Sequence, residues 1–508
     1  MATFHEQVQK ALLNVGIGAA SVLTVISIFL IKGVIHTTFQ TPKKRSKNKE
    51  NSKYIHLNDE ILSRFSKAIQ CETVSYSQHE TEGPSCAQEL LKLHAVIKDS
   101  FPHVHLSPLV QCDVINKYSL LYTIKGSDPS LKPYLLISHL DVVPVKDQTW
   151  DVPQFEGLVK DGYIWGRGTL DVKNGVMGSL EALEFLLKSG HLPNRGFFLA
   201  FGHDEEIFGW NGAAYIVKEL VARGVSLEFV QDEGLMIIDN LFPGITAPIA
   251  SIGIAEKGSI SLELRVDTAV GHASMPPRES SIGILSKAIT RIEGNPLPST
   301  FGCGPEVDML LGISPAIPLP LRIVTSNMWF FKPLLVWILS KNVTTNALVR
   351  TTVAVTKING GTKDNVIPAS ATAHLNIRIH QGDTVESVIR HLRSCINDDR
   401  VQIKTLEAHS ESPIASCDSK SFGYNTVASS ILDVFPDVIV APGLLVAGTD
   451  SKHFLQLTSE VYRFMPSHIK MEDVSRIHGS NERISVKNYE ETINFYYRLM
   501  LNADKAML

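Results

Sequence analysis

The sequence predicts an α/β protein, a sheet with helices on both faces, organised as more than one domain. Three observations carry this. From about Tyr54 short apolar runs alternate with amphipathic helical patterns. Three of the runs end in clusters of His, Asp and Glu. The chain has 508 residues, more than one hydrophobic core organises, so two domains or one domain with a large insertion are expected. With 44% apolar and 20% charged residues the composition is that of an ordinary globular protein, which excludes wholesale disorder, collagen-like repeats and a polytopic membrane protein. A balance of 48 basic against 52 acidic residues, net charge −4, leaves no nucleic-acid footprint. The six cysteines (Cys71, Cys86, Cys112, Cys303, Cys395, Cys417) form no CxxC pair. They exclude a thiolate metal site and a dense disulfide scaffold, and leave one or two bridges open for a secreted protein.

The first element is separate from the rest. Residues 11–31 form a run of 21 residues without a charge, long enough to cross a ~30 Å hydrocarbon layer as a helix. No small-x-small cleavage site follows, so an uncleaved anchor is expected, joined through the polar linker 41–53 to the rest of the chain. The lysines and arginine at 43–49 would hold that side in the cytosol, whereas the sequon Asn342-Val343-Thr344 is compatible with the lumen.

Next come the strands. Tyr134 to Ser138 leads into His139-Leu140-Asp141; Phe197 to Phe201 leads into Gly202-His203-Asp204-Glu205-Glu206; Leu227 to Val230 leads into Gln231-Asp232-Glu233-Gly234. In open α/β sheets the ligand crevice lies beyond the carboxyl ends of the strands, so the three polar clusters are expected to converge. Between them Gly166-Arg167-Gly168-Thr169-Leu170-Asp171 precedes a helical pattern of Val176, Met177, Leu180, Leu183, Leu186 and Leu187. Singly, Asp171 is an ordinary helix cap, His139 a core histidine and Glu205-Glu206 a solvated helix start. Together, in this order, they ask for a common cause.

Zinc chemistry supplies one. Zinc takes imidazole nitrogen and carboxylate oxygen, and a catalytic zinc keeps a position open. Two zincs ~3.5–4 Å apart need a shared carboxylate and separate ligands on either side. Asp171 suits the bridge, with His139 and Asp232 on one metal and Glu206 plus the distant His478 on the other. Three carboxylates against two dications leave about +1, enough to acidify a water between them towards pKa ~7. Asp141 is expected to accept the other imidazole N–H of His139 and fix its tautomer. Glu205 remains as general base and acid.

The series SHLDVVPV, GRGTLDVKNG, GHDEE, QDEG, GHASMPP, GTDS and RIHGSNE resembles the co-catalytic di-zinc carboxypeptidase and aminoacylase family, from Tyr54 to about Ala503. The resemblance implies a di-zinc exopeptidase-type catalytic domain with an inserted α+β, ferredoxin-like lid of four strands and two helices that also dimerises. The implied division is a signal or anchor segment and linker at 1–53, catalytic domain at 54–256, lid with an apolar insertion at 257–409, and catalytic domain again at 410–508. By the same resemblance His272 in GHAS stabilises an oxyanion, often in the partner subunit's site, and Asn365 and Arg378 hold the substrate carboxylate. An arginine suits that role because its planar fork meets a carboxylate bidentately.

About 60 residues between the first lid helix and Val353 include the apolar stretch 326–339. It is apolar enough to cover a lipid chain or touch a membrane or lipoprotein surface, or to add lid core or dimer surface. The resemblance implies two Zn2+ per chain, reversible hydrolysis of N-fatty-acyl amino acids, secretion or a lumenal site with Asn342 glycosylated, a small-molecule substrate and a homodimer. A dipeptide carboxypeptidase shares every catalytic residue. An inactive tethered binding protein is disfavoured because all the expected ligands and the base are present.

Overall fold

The computed structural model describes Ser27 and residues 54–76, 85–242 and 244–504. Apart from Ser27, the expected membrane-targeting run at 11–31 and its linker lie outside the described residues. Among the described residues no helix is long and apolar enough to cross a membrane. Among the described residues no disulfide joins the six cysteines.

In chain order the strands are β1 (Val110–Ile115), β2 (Ser119–Ile124), β3 (Tyr134–His139), the hairpin β4 (Leu158–Lys160) and β5 (Tyr163–Trp165), β6 (Phe197–Gly202), β7 (Val230–Asp239) and β8 (Ile249–Glu256). After them come β9 (Gly258–Asp267), β10 (Gly271–His272), β11 (Thr352–Gly360), β12 (Val366–Ile367), β13 (Ser370–Ile379) and β14 (Val401–His409). The last three are β15 (Ile439–Leu445), β16 (Val461–Lys470) and β17 (Arg483–Ser485). Eight of them form the central sheet, in the order β1-β2-β6-β3-β7-β16-β8-β15. Its middle pairs, β3 with β6, β3 with β7 and β7 with β16, are parallel. Both β3 and β6 are buried along their whole length, which accounts for their near-continuous apolar sequences: a strand covered on both faces does not alternate. One covering helix is Lys173–Lys188, whose Val176, Met177, Leu180 and Leu183 fall on the core side.

The second sheet has the order β11-β13-β9-β14, antiparallel throughout. In β9 the burial alternates, with Ile260, Leu262, Leu264 and Val266 inward, the period of a strand with one wet face. Helices Ser281–Gly294 and Val385–Ile396 cover that inward face through Ile284, Leu285, Val388 and Leu392. Each starts on a side-chain cap: Ser280 accepts from Gly283 N, and Thr384 forms a reciprocal box with Ser387. This is the four-strand, two-helix lid that the resemblance implies. The chain leaves and re-enters the central domain at one spot. A Cβ on Gly258 would lie 2.6 Å from Glu411 N and 2.7 Å from His409 O, so only glycine lets the two connections cross.

The apolar insertion packs elsewhere than on the lid sheet. Phe301, Leu310, Ile313, Ile317, Leu335 and Val349 form a core with Ile245, Ile249 and Ala441, capping the β15 edge of the central sheet. The Met328–Leu339 helix buries only Leu335 and exposes Trp337 and Ile338.

Candidate metal centre

Three parallel strands deliver the cluster. His139 is the last residue of β3, Glu205 and Glu206 open the turn after β6, and Glu233 lies near the start of β7. His139 is buried, and its Nδ1 lies 2.9 Å from the carbonyl oxygen of Asp141. Donation there leaves Nε2 facing Asp171 Oδ1 at 3.2 Å, Glu233 Oε1 at 3.3 Å and Glu205 Oε2 at 3.9 Å. The other oxygen of Asp171 meets His478 Nε2 at 2.8 Å, and the same nitrogen lies 3.3 Å from Glu206 Oε2. One carboxylate thus stands between two histidines that are far apart in sequence, as a bridging ligand requires.

Of the expected ligands His139, Asp171, Glu206 and His478 come together. Asp232 does not. Its carboxylate accepts the backbone N–H of Glu233 at 2.8 Å and of Ser451 at 2.9 Å, on the side of the strand away from the cluster. Glu233 takes the place expected for Asp232: neighbours on a strand face opposite ways, and β7 turns Glu233 towards His139. Asp141 offers the imidazole two acceptors, its carbonyl at 2.9 Å and its carboxylate Oδ1 at 3.4 Å from the same nitrogen; the carboxylate also accepts from Ser75 Oγ at 2.8 Å, Glu205 N at 3.1 Å and Glu206 N at 3.2 Å. The residue therefore ties β3 to the two-glutamate turn.

That turn is tight because Asp204 accepts the N–H groups of Asn211 and Gly212, both at 2.7 Å. Gly209, at φ +70°, leaves room for the buried Asp450, whose Oδ1 would collide with a Cβ there. Asp450, in the GTDS motif, has neither carboxylate oxygen hydrogen-bonded within the described residues. Composition and motif give no hint of that.

Charge decides what the cluster can hold. Burial, with the neighbouring Glu233, pushes the Glu205 carboxyl well above the usual range. Burial and Asp171 raise Glu206 to about 7, and burial is the main cause that lifts Glu233 to about 8. Burial would raise Asp171 too, but hydrogen bonds from His139 and His478 hold it below the ordinary carboxylate value. His478 rises to about 10 through its hydrogen bonds to Asp171 and Glu206. So many carboxylates crowded away from water repel one another unless a cation compensates them. Among the described residues the buried Glu206 Oε1 has no hydrogen-bond partner. Two sets, His139-Glu205-Glu233 and His139-Asp171-Glu206, each have donor atoms within 4.8 Å of one another. Oxygen and imidazole donors at this spacing fit divalent metal, and the shared Asp171 fits a pair.

The lid residues stand apart. His272 pairs with Val366 across the β10–β12 ribbon, and Asn365 O accepts from Ala273 N. Both are exposed, and the ring Nδ1 of His272 meets the N–H and hydroxyl of Ser274. Arg378, on β13, is half-buried, and its Nη1 lies 3.8 Å from the position of a Cβ on Gly448, beside GTDS. The structure brings His272 to Asn365 and separates both from Arg378.

The model of peptidase family M20/M25/M40 matches residues 135–502. N-fatty-acyl-amino acid synthase/hydrolase PM20D1 of Xenopus tropicalis is 46% identical over 88% of this chain and 86% of its own. The Dictyostelium discoideum protein described as probable carboxypeptidase S-like 2 is 41% identical over 95% of this chain and 93% of its own. Among solved structures, an M20 family metallo-carboxypeptidase from Sulfolobus solfataricus superposes with a TM-score of 0.64 at 17% identity, over 88% of this chain and all of that one. The matched span begins inside β3, four residues before His139, and ends in the last helix, so it takes in each residue of the cluster, and the chain belongs to peptidase family M20/M25/M40.

Proposed function

We propose that the chain hydrolyses N-fatty-acyl amino acids to fatty acid and amino acid, and condenses them in the reverse direction, at two zinc ions held by His139, Asp171, Glu206, Glu233 and His478. The observation that carries the chemistry is Glu205, a largely enclosed carboxylate whose Oε2 stands 3.9 Å from His139 Nε2, beside the ligand set. When bound, the zincs supply the Lewis acidity that polarises the amide carbonyl and acidifies water. Glu205 takes a proton from the attacking water and delivers it to the leaving nitrogen, as general base and then general acid. Asp141 holds Glu205 and Glu206 in place through their backbone N–H groups. Arg378 receives the substrate carboxylate in its own chain's site, and the exposed ribbon of a second copy brings Asn365 to the same carboxylate and His272 to the oxyanion.

In this reading residues 11–31 carry the chain into the secretory pathway and the catalytic part is lumenal or extracellular. The exposed Asn342 carries a glycan; its Oδ1 accepts from Thr344 N and leaves its amide nitrogen unused in that bond. The insertion touches membrane or lipoprotein: between Asp308 and Asp364 it has no acidic residue, and it exposes Leu319, Leu321, Trp337 and Ile338. A glycosidase shift abolished by Asn342→Gln supports the topology, and protease sensitivity from the cytosolic side of intact microsomes overturns it.

Turnover of oleoyl-phenylalanine against an unacylated dipeptide tests the substrate class. Release of phenylalanine from the acyl substrate, abolished by chelation, is the expected result. Turnover of the dipeptide alone would favour the carboxypeptidase reading, which the 41% identity to the Dictyostelium protein keeps in play. Turnover of neither by zinc-loaded protein would point to a binding role.

A further inference from the structure

Outside the ligand cluster, Glu482 is a densely hydrogen-bonded buried charge. It is fully buried, four residues after His478, and no chemical step employs it. Its Oε1 accepts the backbone N–H groups of Gly168 at 3.0 Å, Leu170 at 2.7 Å and Asp171 at 3.2 Å. Its Oε2 accepts from Arg167 Nη1, and its backbone carbonyl accepts from Gly166 N at 3.0 Å. One side chain thus gathers the loop that carries the bridging Asp171. The other arm of Arg167 returns the contact: Nη2 donates to the carbonyl of Gly479 at 3.1 Å and to Gln148 Oε1 at 3.0 Å. Gln148 Nε2 donates in turn to the carbonyl of His478 itself at 2.8 Å.

This network answers a specific difficulty. His478 sits at φ +61° and Asn481 at φ +59°, a left-handed backbone that is unfavourable for residues with a side chain and persists only where the surroundings over-determine it. The half-exposed His478 side chain contributes no core packing that could do so. What fixes its carbonyl and the next one is Gln148 and Arg167, and both are anchored by Glu482 or its salt bridge. Resting on the proposed di-zinc reading, we infer that Glu482, through Arg167, is a positioning residue that sets the separation between the Asp171 bridge and His478, and so the affinity of the zinc these two share with Glu206. A carboxylate is required because it accepts three N–H groups on one oxygen and a guanidinium on the other; charge-assisted bonds of this kind are shorter and stronger than neutral ones.

The test uses the full chain, zinc alone as probe, and the variants Glu482→Gln and Arg167→Lys. Zinc stoichiometry and affinity are read by competition with a chromophoric chelator, next to far-UV circular dichroism of the metal-free protein and steady-state kinetics. The expected result is a native spectrum with one zinc held as in wild type and the other weakened about 10- to 100-fold, the range for groups that orient metal ligands. kcat should fall while KM stays within about twofold, because the substrate contacts are untouched. Arg167→Lys keeps the carboxylate with its three N–H donors and should be the milder of the two. A folded variant that holds both zincs as tightly as wild type overturns the inference. Failure of both variants to fold also overturns it, since the network would then serve the fold rather than the site. If wild type itself fails to bind two zincs, the di-zinc reading falls instead.

Discussion

The carboxyl edge of the central sheet and the outer ribbon of the lid both hold residues expected to touch the same substrate, yet they are built in opposite ways. At the sheet edge His139, Asp171, Glu205, Glu206, Glu233 and His478 are drawn together by backbone hydrogen bonds and by each other. On the ribbon His272 and Asn365 face outward, and among the described residues the imidazole of His272 bonds to its own turn. A cluster of like charges must be enclosed and cross-linked within one chain, because nothing outside would hold it together. A single polar group at an exposed tip needs something brought to it.

The sharpest way to break this contrast is at the base. Glu205→Gln should retain two metals by elemental analysis while turnover falls about 10²- to 10⁴-fold, the loss typical of a missing general base; near-normal turnover by the metal-replete variant would remove Glu205 from the chemistry. Asp171→Ala, by contrast, should lose metal and activity together. On the ribbon, His272→Ala should lower kcat by about 10²- to 10³-fold without changing metal content. Mixing His272→Ala with Glu205→Gln chains sharpens the point: if His272 serves the partner's site, half the sites of each mixed dimer are intact, and random pairing restores up to about a quarter of wild-type activity. No recovery would place His272 in its own chain's site or outside the reaction.

Smaller effects separate neighbours. Glu233→Gln should weaken one zinc by tenfold or more, roughly the scale of a disturbed ligand, whereas Asp232→Asn should keep both; the reverse outcome would restore Asp232 as the ligand. The smallest effect is a pH trend in the metal-free protein. Glu206 and Glu233 rise from 4.5 to about 7 and about 8, so their ionisation costs stability increasingly as pH climbs from the lower values to the higher. His478 rises from 6.5 to about 10, so its contribution is complete below the first value and fades towards the second. Both trends have the same sign. The chelated protein should lose melting temperature from about pH 5 to pH 8 more steeply than the zinc-loaded protein, and parallel curves would contradict the crowding of these carboxylates.

Much of the sheet edge is legible in the sequence because each element ends in its functional residue: an apolar run of strand length followed by His or paired acids marks the C-terminal end of a buried strand. The lid pattern is legible for a similar reason, since Ser259 to Asp267 alternates openly. The choice between Asp232 and Glu233 is not, because alternation separates two neighbours without telling which faces the crevice. Nor is the Glu482 network, since Arg167 and Glu482 lie 315 residues apart and each reads as a surface charge on its own. The insertion's apolar residues leave lipid cover, membrane contact, lid core and dimer surface open in the sequence; its buried ones pack on the β15 edge of the central sheet, an apolar face that no local pattern announces.

The crossing at Gly258 bears on how the chain can be cut and rejoined. Ser259 and His409 are paired neighbours on adjacent strands, so removing everything between them leaves two ends roughly 5 Å apart, a gap that a very short splice would close. By its ends alone the lid is a cassette. The insertion cancels that freedom, because the same excision strips Leu310, Ile313 and Leu335 from Ile249 and Ala441 and bares an apolar sheet edge. The buried Lys257, whose Nζ donates to the carbonyls of Ala347 and Arg350, adds a stitch at the seam. A transplantable lid therefore has to be cut as two pieces, 259–298 and 352–408, with residues 299–351 left behind on the host.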